Sequence, residues 1–165
     1  GFRWLHESFG TNWRMLEVQA VIGRIQLRRM SEWRASRIDY AQRIWSHARE
    51  LEGLRVPVVP ESCDHAAYKC YVFVEPQQLK PEWSRDRILA EISALGIPCF
   101  SGSCSEVYLE KAFDHTGWRP EVRLPVAKEL GETSLMFLVH PTLTEAEINK
   151  TCEALCSVMQ QACKP

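Results

Sequence analysis

Gly10-Thr11-Asn12-Trp13-Arg14-Met15 is the stretch best suited to chemistry, because it sets a glycine turn, a hydroxyl, an amide and a guanidinium at the start of a long helical pattern. Donors grouped at a helix start bind anions, and a phosphate suits them in both charge and hydrogen-bonding capacity. A plainer reading competes, in which Thr11 or Asn12 only caps the helix. Two further places carry chemistry. Cys104, in the run Phe100-Ser101-Gly102-Ser103-Cys104-Ser105-Glu106-Val107-Tyr108, would be a nucleophile if a cation or helix end depressed its pKa, and no basic residue adjoins it in sequence. The same run fails the G-x-S-x-G elbow, since Glu106 and Val107 stand where the closing glycine would be. Lys69, between Tyr68 and Cys70, is either a desolvated amine fit for a Schiff base or a strand lysine whose ammonium snorkels to water, and snorkelling is the expectation.

Composition narrows the classes. Lys plus Arg number 20 against 21 acidic residues, and the net charge of -1 offers none of the attraction that drives phosphate-backbone binding, so nucleic acid is not an expected partner. No apolar run approaches the ~20 residues of a membrane span, and Gly1-Phe2-Arg3-Trp4 is no signal peptide, so the protein is read as cytoplasmic. Seven cysteines with no C-x-x-C pair are read as reduced core thiols, and five scattered histidines give no metal site.

The elements that must position these groups follow from periodicity. Met15 to Leu51 reads as one long helix or two nearly in line, with Met15, Val18, Ile22 and Ile25, then Trp33, Ile38, Ala41, Trp45 and Ala48 at helical steps. Gly53 ends it. Tyr68 to Val74 is aromatic and β-branched, which predicts a central strand covered on both faces. Ser84 caps a predicted helix over 85–95 that stops at Gly96, and Ile97 to Phe100 is extended. Residues 101–133 read as a long, partly helical connection, Ser134 to Val139 as a strand, and Thr144-Glu145-Ala146-Glu147 as a capping box with Leu143 and Ile148 as its staple. The order predicts an α+β fold: a long N-terminal helix, then a small, mainly antiparallel sheet of three or four strands covered by helices. Residues 1–14 form an interdomain and active-site segment, 15–52 the helix and 53–165 the α+β body of one small domain. The abrupt aromatic opening leads to the expectation that the first half of the protein lies elsewhere.

Gly10-Thr11-Asn12-Trp13-Arg14-Met15, with Glu17, Gln19-Ala20, Ile22-Gly23 and Gln26-Leu27, resembles the G-x-N-x-R-M-x-E-x-Q-A-x-I-G-x-x-Q-L signature of the DegT/DnrJ/StrS sugar aminotransferases. The likeness continues through Arg37, Ala41, His65-Ala66-Ala67-Tyr68-Lys69, Gly96-Ile97-Pro98, Leu124-Pro125-Val126-Ala127 and His140-Pro141-Thr142-Leu143-Thr144. It implies the C-terminal small domain of a fold-type I enzyme that binds pyridoxal 5'-phosphate (PLP), works as a homodimer, and transfers an amino group, usually from glutamate, to a keto group of a nucleotide-linked sugar. Asn12 then matches the asparagine that reaches the cofactor phosphate across the dimer interface, and Arg14 its neighbouring arginine. The Schiff-base lysine belongs to the upstream large domain, so no catalytic residue is expected in this chain, and the chain alone is expected to be inactive.

One loop departs from the pattern: where many members carry Pro-Leu-His, this sequence has the serine-rich 100–108 run. Ser103 and Ser105 are its candidate substrate contacts, since hydroxyls suit sugar hydroxyls or diphosphate oxygens, although a plain hydrophilic surface loop gives the same composition. Two other readings stay open: a noncatalytic dimerisation or small-molecule-binding module of the same fold, and a thiol enzyme built on Cys99 or Cys104.

Overall fold

The computed structural model describes residues 4–164, which fall into two compact units. One holds the described part of Gly1–Glu32 together with Ser103–Gly131; the other holds Trp33–Gly102 and the described part of Glu132–Pro165.

The second unit carries the sheet. Strands β1 (Leu54–Arg55), β2 (Cys70–Val74), β3 (Cys99–Phe100) and β4 (Ser134–Phe137) lie in the order β1-β2-β4-β3, every neighbouring pair antiparallel. The α+β expectation holds, and β2 is central as predicted. Its cover is one-sided: Cys70, Val72 and Val74 are buried while Tyr71 and Phe73 are only half-buried, because successive strand side chains point to opposite faces. Phe73 keeps partial shelter beneath the Arg55 guanidinium, 4.6 Å from the ring centroid.

Helix α2 (Met30–Arg49), α3 (Arg85–Ala94) and α5 (Glu145–Ala162) supply the core that meets the inner face. Ile44, Ile88, Ile92, Leu155 and Phe137 are fully buried there, each adding about 1.5–3 kcal/mol by leaving water. Trp45 Nε1 donates to the Tyr71 carbonyl at 2.9 Å, which ties α2 to the central strand without leaving a buried donor unpaired.

Helix ends follow their local signals. Ser84 accepts from the Arg87 N–H, and α3 stops in a Schellman motif: Gly96 is left-handed at φ 80, its N–H bonds the Ser93 carbonyl, and the Ile97 N–H bonds Ile92. Thr144 and Glu147 close the capping box of α5.

The first unit holds α1 (Glu17–Leu27). The long pattern resolves into two helices, α1 and α2, separated at Arg28-Arg29. α1 also buries none of its side chains: Val18, Val21 and Ile22 are each more than half exposed, so its apolar stripe is not core within this chain. The 101–133 connection is more ordered than predicted, with 3-10 turns at Val107–Leu109 and Lys111–Phe113 and helix α4 over Pro125–Thr133. α4 was hidden by Gly131 and by its opening proline, which sits at the first helical position where no N–H is needed. No described helix is long and apolar enough to cross a membrane.

Candidate functional site

The motif lies outside any helix. α1 begins at Glu17 with Leu16 as its N-cap residue, and the Leu16 N–H is satisfied by Gln19 Oε1 at 2.8 Å. Neither Thr11 nor Asn12 therefore caps it, and the plainer reading of those two residues is corrected. Asn12 and Arg14 are exposed, and among the described residues neither takes a protein partner. A neutral amide and a guanidinium left in this state are donors available to an anion, which is also the requirement a cofactor phosphate would set.

The segment ahead of the motif is fixed by a buried carboxylate. Glu110, only 5% exposed, accepts the N–H of Trp4 at 3.1 Å and of His6 at 2.8 Å, and pairs with His6 Nδ1 at 3.2 Å. The Ala112 N–H returns a bond to the His6 carbonyl, Lys111 pairs with Glu7, and the Phe9 ring meets Phe113 edge-on at 5.2 Å. Burial pushes the Glu110 carboxyl up, but the His6 N–H, the His6 ring and the Trp4 N–H together outweigh it and hold the group below its ordinary value.

The sign follows from linkage. A depressed carboxyl stabilises above the ordinary carboxylate range, near about 4.3, and loses its hold only as pH falls beneath that. The Trp4 amide shift should thus move as pH falls beneath the ordinary carboxylate range. A Trp4 amide shift unchanged through that acid range would show that the carboxylate is not the anchor.

Glu106 anchors the other side of the 107–109 turn. It is 4% exposed, takes both Arg123 Nε and a second guanidinium nitrogen, and accepts from the Tyr108 hydroxyl at 2.7 Å. That hydroxyl in turn accepts the Leu124 N–H at 2.9 Å, directly before α4. Neither Glu106 nor Glu110 was singled out in the sequence, where each looks like a surface glutamate; the Trp4 and His6 donors lie about a hundred residues from Glu110.

Between these anchors lies a cleft of about 490 Å³ lined by Phe9, Gly10, Ser103, Cys104, Val107 and Phe113 among others. It brings Ser103 beside the residues that lead into the motif. Ser105 is half-buried and does not line it, and Asn12 and Arg14 stand beyond its rim in sequence, two and four residues past Gly10. Hollows of similar size in the second unit touch neither Gly10–Met15 nor the serine loop.

The thiol and lysine candidates fare differently. The seven cysteines are free thiols; burial pushes Cys99 up to about 12 and Cys70 higher still, so neither supplies thiolate near neutral pH. Lys69 is half-buried with its ammonium over the exposed Tyr68 ring, 5.8 Å from the centroid.

Comparison with known proteins matches this arrangement to a family. The model of the DegT/DnrJ/EryC1/StrS aminotransferase family covers residues 1–156. An aminotransferase from Psychrobacter cryohalolentis has a solved structure with 62% identity and a TM-score of 0.85, over 98% of this chain and 43% of that one. DesV of Streptomyces venezuelae, solved in complex with a ketimine intermediate, shares 26% identity at a TM-score of 0.75, over 94% of this chain and 39% of its own. The dTDP-3-amino-3,4,6-trideoxy-alpha-D-glucose transaminase of Streptomyces venezuelae is 26% identical over 93% of this chain and 38% of its own length. The chain thus spans about two fifths of the proteins it matches. On a family match that runs from the motif through the sheet to α5, the chain belongs to the DegT/DnrJ/EryC1/StrS aminotransferase family.

Proposed function

We propose that this chain is the C-terminal small domain of a PLP-dependent aminotransferase that moves an amino group from glutamate to a keto group of a nucleotide-linked sugar. The observation that carries this reading is the state of the motif: Asn12 and Arg14 are exposed, outside any helix and not spent on capping. When bound, PLP supplies the electron sink that makes amino transfer possible. In this reading Asn12 donates its amide to the cofactor phosphate of a partner subunit, and Arg14 adds positive charge near the same oxygens. An amide serves there because it gives a directed bond without a second buried charge.

The bare apolar side of α1 supports a homodimer, since an uncovered stripe of Val18, Val21 and Ile22 favours burial against another surface. A nucleotide sugar is supported by the dTDP-linked amino sugar for which the Streptomyces venezuelae transaminase is named. Ser103 then offers its hydroxyl to sugar or diphosphate oxygens at the mouth of the cleft, while Ser105 is retained on loop composition alone. A nucleotide-sugar substrate also accords with a cytoplasmic location. The lysine that binds the cofactor covalently lies outside this chain.

Glutamate and a panel of keto-sugar nucleotides, incubated with PLP and the complete protein, should yield 2-oxoglutarate and an amino-sugar nucleotide by mass spectrometry. The same mixture with this chain alone should yield neither. Transfer by the chain alone, or a complete protein that binds no PLP, would overturn the proposal.

A further inference from the structure

We infer that Glu110 is a positioning residue for the cofactor contact: by clamping the backbone of Trp4 and His6 it fixes the segment that delivers Asn12. The inference rests on the assignment of Asn12 to the cofactor phosphate and extends it to a residue that touches no ligand.

The geometry is specific. Trp4 turns the chain with a left-handed φ of 57, and the two oxygens of one carboxylate take its N–H and that of His6, two residues on, one each. A surface glutamate would not do this; Glu110 is buried at the end of the 107–109 turn, and the Arg119 guanidinium holds its carbonyl at 3.2 Å. The clamp is then extended toward the motif by the Ala112 bond to His6 and by Phe9 packed against Phe113 and Trp118. Asn12 follows Phe9 by three residues, a reach of at most about 10 Å. Fixing Phe9 therefore confines Asn12 before any anion arrives, and the ordering entropy is not charged to binding. Cutting the clamp should free the segment and return that cost.

The test is the PLP dissociation constant of the complete enzyme, read by titrating the apo form, in the parent, Asn12→Ala, Glu110→Ala, Glu110→Gln and the Asn12→Ala/Glu110→Ala double variant. Glu110→Ala should weaken PLP about fivefold, the cost of re-ordering about one residue. Glu110→Gln keeps one acceptor oxygen but sets an NH2 against a backbone donor, so it should fall between parent and alanine variant and covers the case in which alanine does not fold. In the Asn12→Ala background Glu110→Ala should have no further effect, because it acts through that amide. The Trp4 and His6 amide shifts should move in both Glu110 variants, more in alanine. Parent affinity in Glu110→Ala or, if that variant does not fold, in Glu110→Gln overturns the inference alone, as does a loss that adds in full to that of Asn12→Ala. Parent affinity in Asn12→Ala removes the Asn12 assignment and this inference with it.

Discussion

Asn12→Ala in the complete enzyme should raise the PLP dissociation constant by about tenfold to a hundredfold while leaving the thermal stability of the apo form within about 0.5 kcal/mol of the parent apo form. The first figure follows from deleting a hydrogen bond to a charged acceptor, about 1.5–3 kcal/mol. The second follows from position: Asn12 is exposed, α1 starts at Glu17, and the Leu16 N–H is satisfied by Gln19, so the side chain holds nothing of the fold. Asn12→Asp should be worse than alanine, because a carboxylate repels the phosphate dianion. Arg14→Ala should weaken PLP with a shallower salt dependence than the parent shows, since a screened charge rather than a directed bond is removed. Fluorescence titration of the apo enzyme beside a thermal melt separates the two quantities. Equal affinity in parent and Asn12→Ala, or a loss that merely tracks unfolding, would sink the assignment.

Arg123→Ala should destabilise the full chain by about 1–3 kcal/mol, the largest stability effect expected from a single exposed-side truncation in the first unit. Glu106 is almost fully buried, and Arg123 meets it through two guanidinium nitrogens. Removing the guanidinium takes the charged partner from a buried carboxylate, and the Tyr108 hydroxyl that links Glu106 to the Leu124 N–H loses its setting. Arg123 is itself 44% exposed, so the loss falls below that of a wholly buried pair. Urea denaturation measures it. Glu106→Gln combined with Arg123→Ala should cost less than the two single losses added, because both act on one network; strict additivity would show that the pair is not coupled.

The elements that were legible share one property: their signals are local. Ser84, Gly96 and the Thr144/Glu147 box work through hydrogen bonds to backbone groups two to five residues away, so residue type and spacing suffice. The central strand was legible for the same reason, since a run such as Tyr71-Val72-Phe73-Val74 suits a pleated, sheltered surface whatever pairs with it. Its one-sided cover was not, because cover depends on what packs above. The α1 stripe meets a related limit: periodicity marks a side that wants burial, but not whether the covering surface lies in this chain. α4 was lost because proline and glycine are punctuation in most contexts and only position makes proline a helix opener.

For the candidate site, the order of residue types in Gly10–Met15 by itself determined a set of donors suited to an anion and the family resemblance, because those properties belong to side chains and their spacing. Only the tertiary structure decided that Asn12 is not a cap, that Ser103 rather than Ser105 lines the cleft, and that Glu106 and Glu110 hold it. The reason is physical: a carboxylate becomes an anchor when folding buries it against particular N–H groups, and those of Trp4 and His6 stand a hundred residues from Glu110 until the chain closes.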